Sequence, residues 1–305
     1  MRILVLGATG YLGAHVTDRL RALADVRVIG AGRSPGAEFA VDLAADRTER
    51  LAKTLAAAAP DAVVNCAGAT GGDPVTLAEV NARGPAVLCA ALREAAPAAR
   101  LVHLGSAAEY GPGEPGVRVA ESAATRPVTP YGATKLAGTV AVAASGVDAV
   151  VLRVGNPVGP GAPATGLPGR IAALLARAGQ DPEAVLRLGD LSAYRDFVDV
   201  RDVARAVELA VTAPGPLSPV LNISSGDAVP VRELVHGLAR RAGFQGRIEE
   251  DTSGAAGSAR SAEVSWQCSD VGAAYRALRW RPSLGLDDML DALWDAATRE
   301  GGRAA

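Results

Sequence analysis

The segment RILVLGATGYLGAHV, residues 2–16, constrains this chain more than any other. A short apolar run leads directly into three glycines spaced GxxGxxG, and apolar residues at helical spacing follow. That order describes a buried strand, a tight turn and a helix whose first N–H groups face the turn. Gly7 permits the turn, Gly10 lets backbone come close to a phosphate, and Gly13 lets the helix pack on the sheet. Such a helix start offers unpaired N–H groups and the positive end of its dipole to an anion. A bare glycine pattern can be no more than a turn. Placed between strand and helix, it predicts a dinucleotide site, with Gly7, Thr9, Gly10, Tyr11 and Leu12 against the pyrophosphate.

Further apolar runs at 26–32, 61–68, 100–105 and 148–155 alternate with helical patterns, among them 75–95 and 131–145. Strands that are apolar throughout and alternate with helices predict an α/β fold, a Rossmann-type doubly wound parallel sheet covered on both faces. After Gly155 the pattern changes to a Gly/Pro-rich loop (156–169) and a helix. A short strand and helix (194–211), a strand at 219–226 and a mostly helical tail with a polar loop at 251–263 follow. The expected division is a dinucleotide-binding domain from 1–155 and 198–225, with a smaller C-terminal α/β substrate-binding lid from 156–197 and 226–305.

Composition narrows the partners. The net charge of -2 is interleaved along the chain without a Lys/Arg block, which gives nucleic acid or a membrane surface no electrostatic footing. No run approaches the length of a membrane span, and the N-terminal apolar run lacks a signal-peptide cleavage pattern. Cys66, Cys89 and Cys268 form no CxxC pair, and His15, His103 and His236 are scattered. No disulfide framework and no metal site are expected, and the reducing cytoplasm is the expected compartment.

The end of the second strand bears on the choice of dinucleotide. An Asp or Glu there would accept the ribose hydroxyls of NAD. This chain has VIGAGRS, with Arg33 and Ser34 instead. An arginine fork there can pair with a 2′-phosphate, so NADPH is expected ahead of NAD, the alternative being a merely solvated Arg33. Asp42 and Leu43 are expected beside the adenine, and NCAG, with Cys66, Ala67 and Gly68, beside the nicotinamide ribose.

YGATK sets Tyr131 and Lys135 four residues apart, on one face of a helix. An ammonium near a phenol favours the phenolate, and a phenol so tuned can give its proton to a carbonyl oxygen as hydride reaches the carbon. Ser106, in LGSAAEYG at the end of an apolar strand, can hold that oxygen. Tyr110 and Gly111 are expected to shape the pocket wall.

The ordered set GATGYLG, NCAG, GSAAEYG, YGATK and LRVGNPVGPG resembles the extended short-chain dehydrogenase/reductases of the NAD-dependent epimerase/dehydratase type, over essentially the whole chain. The resemblance implies Ser106, Tyr131 and Lys135 as catalytic residues, with Ala107 beside the substrate and Asn81 supporting the site. It also implies a homodimer paired through the helices at 75–95 and 131–145. GDLSAYRDFVDVRDVA and the stretch from Ala259 to Leu286 are similar to the nucleotide-sugar branch, especially GDP-mannose 4,6-dehydratase and GDP-4-keto-6-deoxy-D-mannose reductase. That likeness implies contacts from Asn156, Arg195 and Arg260 to the nucleotide diphosphate. Ser261 stands where the branch usually has proline, a departure that weakens the match at Arg260.

Within this family, dehydratases carry a glutamate two positions after the catalytic hydroxyl, and epimerase-reductases a cysteine with a lid histidine. Here the position is Ala108, whose methyl cannot act as a base. The expected reaction is NADPH-dependent reduction of the C4 ketone of a nucleotide-diphosphate 4-keto-6-deoxyhexose. The alternatives are an NAD-dependent nucleotide-sugar epimerase, a reductase of a non-sugar carbonyl compound, and a non-catalytic NADP sensor.

Overall fold

The computed structural model describes residues 1–251 and 264–301. The first half runs β1 (Arg2–Leu6), α1 (Tyr11–Arg21), β2 (Arg27–Gly32), β3 (Phe39–Ala40), α2 (Thr48–Ala58), β4 (Ala62–Asn65), α3 (Pro74–Ala78), α4 (Gly84–Ala95), β5 (Arg100–Ser106), α5 (Pro130–Ala143) and β6 (Ala149–Val154). The second half runs β7 (Asn156–Val158), α6 (Leu167–Ala178), β8 (Val185–Gly189), β9 (Tyr194–Asp199), α7 (Val200–Thr212), β10 (Val220–Ile223), β11 (Ala228–Pro230), α8 (Val231–Arg241), β12 (Arg247–Asp251), α9 (Gly272–Leu278) and α10 (Leu286–Gly301).

Seven parallel strands form the main sheet in the order β10-β6-β5-β4-β1-β2-β3. Sequence order reverses at β1, which pairs with β2 on one side and β4 on the other. A crevice therefore opens beyond the carboxyl ends of β1 and β4. Alternate residues of each strand feed two apolar layers. Ile3, Val5, Val64, Val102 and Leu152 face α1 and α7, while Leu4, Leu6, Val63, Leu101 and Val151 pack with residues of α2 and α4.

A third apolar cluster joins α6, α8 and α10 with β8 and the β9 residue Phe197. Its strands lie in two small sheets, β11-β9-β7 and β12-β8. The short strand expected at the start of 194–211 is β9, in the first of these. β8 and β12 were not legible as strands, because each is brief and its partner among the described residues is distant in sequence (Arg247 pairs Val185). Near the end, Ala274, Leu278 and Trp280, from the segment expected in the lid, pack into the core of the main sheet. Of the expected polar loop, residues 252–263 lie outside the described residues.

Two buried aspartates tie the parts together. Asp196 of β9 accepts from the N–H groups of Ser225, Gly226 and Ser269 and from the Ser225 hydroxyl. Asp202 of α7 accepts from the Ser283 N–H and hydroxyl (2.8 and 2.7 Å) and the Leu284 N–H (3.0 Å), fixing the approach to α10. The Asp202 carbonyl also receives the Trp280 indole N–H at 2.9 Å. Asp202→Ala would strand the Ser283 and Leu284 donors while leaving the Trp280 bond to the backbone, and we expect it to lower stability by about 3 kcal/mol in urea unfolding.

Candidate active site

The β1–α1 turn is closed by backbone contact. Gly7 has φ +74°, and a Cβ on it would stand 2.9 Å from the Ala67 nitrogen, in the turn after β4. A Cβ on Gly13 would fall 1.9 Å from the Gly7 carbonyl oxygen. The two turns at the strand-order reversal thus touch, and α1 sits directly on the first of them. Gly10 caps α1 without a side-chain hydrogen bond, and the first turn of the helix has no acidic residue. The leading N–H groups of such a helix start are free of intrahelical partners, the arrangement that can receive an anion. Thr9 and Ser34 share a hydrogen bond at 2.8 Å, which brings the end of β2 beside the glycine turn.

Arg33 is exposed and has no partner among the described residues. The Tyr11 hydroxyl donates to the Gly159 carbonyl at 3.5 Å, and its ring stands edge-on to His15. Leu12 is half-buried against the main core. Asp42 caps its own turn through the Ala44 N–H, and the Leu43 side chain is buried in the second core.

At the end of β4, Asn65 accepts from the Ala67 N–H and donates to Nδ1 of buried His103, whose Nε2 has no partner among the described residues. Burial, then the nearby Lys135 charge, holds this imidazole far below its usual pKa. A Cβ on Gly68 would stand 3.4 Å from Asn81 Oδ1 and 3.8 Å from Lys135 Nζ, so the NCAG turn and the lysine share one corner.

Asn81 belongs to a π-helical turn, Glu79–Arg83, inserted between α3 and α4 where regular helix was expected. Its side chain exchanges two hydrogen bonds with the Ala69 backbone (2.9 and 2.8 Å) and donates to Thr134.

Helix α5 starts on Thr129, whose hydroxyl accepts from the Gly132 N–H, with Pro130 in the first turn. Cβ atoms on Gly132 and Gly138 would fall 2.6 Å from the Ala108 carbonyl oxygen and 2.1 Å from that of Asn81. These contacts lay α5 across the end of β5. Lys135 is buried and donates from Nζ to the Leu104 carbonyl at 2.5 Å. Burial pulls its pKa down to about 8, against the upward pull of Glu109 and then Cys66. Tyr131 is half-buried one helical turn earlier.

Ser106 opens a 3₁₀ turn, Ala107–Glu109, as one partner of a capping box. Its Oγ accepts from the Ala108 N–H at 3.2 Å, and Glu109 accepts from the Ser106 N–H at 2.8 Å. With its oxygen so engaged, the Ser106 hydroxyl keeps its proton for an outside acceptor. Ala107 is buried and Ala108 half-buried. Glu109 was missed as a site residue, although SAAE carries the S-x-x-E signature that would have found it.

The expected pocket wall at Tyr110 is corrected. Its ring is buried under the Arg153 guanidinium and its hydroxyl donates to Asn222.

On the lid side, Asn156 donates to Gln267 Oε1 (2.8 Å) and the Asp196 carbonyl (3.3 Å). Arg195 is buried and donates to the Tyr194 carbonyl. Arg260 and Ser261 lie outside the described residues. Among the described residues no cluster of potential metal ligands occurs, and no helix is long and apolar enough to cross a membrane.

The family profile described as NAD dependent epimerase/dehydratase matches residues 3–224. A dTDP-6-deoxy-L-talose 4-dehydrogenase (NAD(P)(+)) of Kitasatospora kifunensis is 38% identical, covering 97% of this chain and 95% of that protein. A GDP-6-deoxy-D-mannose reductase of Pseudomonas aeruginosa is 27% identical over 98% of this chain and 99% of its own length. The solved structure of RMD from Pseudomonas aeruginosa complexed with NADPH superposes with TM-score 0.84 at 25% identity, covering 98% of this chain and 99% of that one.

The thiol beside Lys135 offers a check on this environment. Burial pushes Cys66 up to about 12, against the downward pull of Lys135. We expect a disulfide reagent at pH 8 to label Cys66 in the folded protein roughly a thousandfold more slowly than a free cysteine. Mass spectrometry of the labelled peptides measures the rate.

Proposed function

The chain belongs to the NAD-dependent epimerase/dehydratase family, and from that premise we propose that it reduces the C4 ketone of a nucleotide-diphosphate 4-keto-6-deoxyhexose with NADPH. More broadly, it acts as an NAD(P)-dependent enzyme on nucleotide sugars. A relative named for 4-dehydrogenation of a dTDP-6-deoxyhexose and another named as a GDP-6-deoxyhexose reductase support that chemistry, since ketone reduction is the reverse of alcohol oxidation.

The glycine cradle fits the cofactor. Gly7 and Gly13 leave no room for a Cβ, and the uncapped start of α1 offers its N–H groups to a pyrophosphate. Thr9 and Ser34 would line the adenosine side, and the Arg33 fork, unpaired among the described residues, suits a 2′-phosphate. Gly68 and Lys135 would flank the nicotinamide ribose. When bound, the nicotinamide supplies the hydride for the ketone carbon.

The residues of the chain handle the oxygen and its proton. The Ser106 hydroxyl donates to the ketone oxygen and holds it in place. Tyr131 gives up its phenolic proton to that oxygen as the C–H bond forms, leaving an alcohol and a phenolate. The Lys135 ammonium favours that phenolate, which solvent then reprotonates.

Position 108 carries the choice of reduction over dehydration or epimerisation. Its methyl group stands directly after Ser106 and Ala107, and its N–H is committed to Ser106 Oγ. No base is available there to remove a proton beside the ketone. We also propose that Asn156 and Arg195 on the lid bind the nucleotide diphosphate, and that the enzyme is a homodimer.

The decisive measurement is NADPH oxidation with GDP- and dTDP-4-keto-6-deoxyhexoses, with NADH as the comparison. Turnover with one of these sugars, faster with NADPH, is expected. No oxidation with any nucleotide sugar despite NADPH binding would sink the assignment. Tyr131→Phe should lower kcat by at least about a hundredfold, and undiminished turnover would remove Tyr131 from the mechanism.

A second expectation concerns pH. Lys135 is charged below about 8 and neutral above, so the ammonium that favours the phenolate is lost as pH rises. The kcat profile for reduction should fall above about pH 8, and a rate that keeps rising to pH 10 would contradict this role.

A further inference from the structure

Glu109 is fully buried, and each of its carboxylate oxygens is committed to donors from different elements. Oε1 accepts from the Ser106 N–H at 2.8 Å and from the Thr139 hydroxyl of α5 at 2.9 Å. Oε2 accepts from Arg153 Nε of β6 at 2.7 Å. All three contacts are donations to the oxygens, which is the pattern of an ionised carboxylate.

Gly105 makes the arrangement possible. A Cβ there would stand 2.8 Å from Glu109 Oε1, 3.3 Å from Thr139 Oγ1 and 2.7 Å from Val151. The strand residue before Ser106 therefore leaves the space that the carboxylate fills. Thr139 lies one helical turn beyond Lys135 on the same face of α5.

We propose that Glu109 is a positioning residue: its carboxylate, seated against Gly105 next to the Leu104 carbonyl that Lys135 Nζ bonds, ties the Ser106 strand end to the Tyr131–Lys135 helix and is the counter-charge of that lysine. Arg153 limits how much of that charge Lys135 feels, because it pairs with the same carboxylate and lies 4.5 Å over the Tyr110 ring. The titratable groups around Lys135 are Cys66 after β4, His103 of β5, Glu109, and Tyr131 on its own helix. Burial dominates the lysine and Glu109 is the foremost group opposing it, so loss of the carboxylate charge should make the ammonium easier to discharge. Loss of the Arg153 charge should do the reverse. A residue that only held the fold together would give no such pair of opposite shifts.

The composition makes this directly measurable. The chain has two lysines, Lys53 and Lys135, so a sample labelled with ¹³C at lysine Cε gives two signals that titrate separately. In Glu109→Gln the Lys135 midpoint is expected to drop by about one pH unit, and in Arg153→Met to rise by a similar amount, with Lys53 unmoved in both. A folded Glu109→Gln whose Lys135 midpoint stays put overturns the counter-charge role. If Glu109→Gln does not fold, Arg153→Met decides, and a fall or no change there overturns it equally.

Thr139→Val removes only the tether to α5 and keeps the charge. It should lower kcat about tenfold with KM little changed and the Lys135 midpoint unmoved, whereas unchanged kcat overturns the tethering role. This last measurement alone rests on the proposed reductase reading. A protein that turns over no nucleotide sugar but shows both lysine shifts would lose that reading and keep Glu109 as the counter-charge.

Discussion

Backbone meets backbone at three glycines, and the geometry of the candidate site depends on those meetings. Gly13 sets α1 on the Gly7 turn, Gly132 sets the start of α5 on the Ala108 carbonyl, and Gly138 sets its middle on the Asn81 carbonyl. Each leaves no room for even a methyl group. Interiors packed this closely transmit position faithfully, since helix and turn can approach in only one way. The N-terminal end of α1 and the Tyr131–Lys135 face of α5 inherit their places from these contacts, not from the apolar layers, which supply stability over a broader area.

Around that frame lies an uneven distribution of charge. Lys135, Arg153 and Glu109 are all buried, two cations and one anion. Burying ions is a poor route to stability, and an apolar core of the same volume would often do as well. What such groups offer is direction. The carboxylate can accept from Ser106, Thr139 and Arg153 together in only one arrangement of β5, α5 and β6. The cationic excess sits beside the NCAG turn, where a negatively charged or electron-rich group would be favoured.

The parts legible in the sequence were those whose cause is local. The strand–turn–helix at 2–16 declares itself through glycine spacing and apolar periodicity. Tyr131 and Lys135 declare themselves through helical spacing. Both belong to single elements, and the sheet class followed from strands that are apolar throughout. The rest depended on distant pairs. β8 and β12 find each other across the whole of β9 to α8. Tyr110 read as a pocket residue because its partner Asn222 cannot be guessed from its surroundings. Trp280, in what read as lid sequence, turns back into the main core through Asp202. Glu109 is the instructive intermediate. Its capping pattern with Ser106 is local and readable, but its ties to Thr139 and Arg153 are not, so the letter was visible and its importance was not.

The π turn at Glu79–Arg83 carries an implication for how this chain can change. The Gly84 N–H reaches back to the Glu79 carbonyl, one residue farther than in an α-helix. The helix from α3 to α4 thus contains one residue more than regular winding would hold. Removing one residue there would restore ordinary winding and leave α3 and α4 in register, but it would abolish the widened turn that carries Asn81 to Ala69 and Thr134. This stretch constrains the number of its residues more tightly than their identity. Substitutions can accumulate along its exposed face, while insertions and deletions cannot.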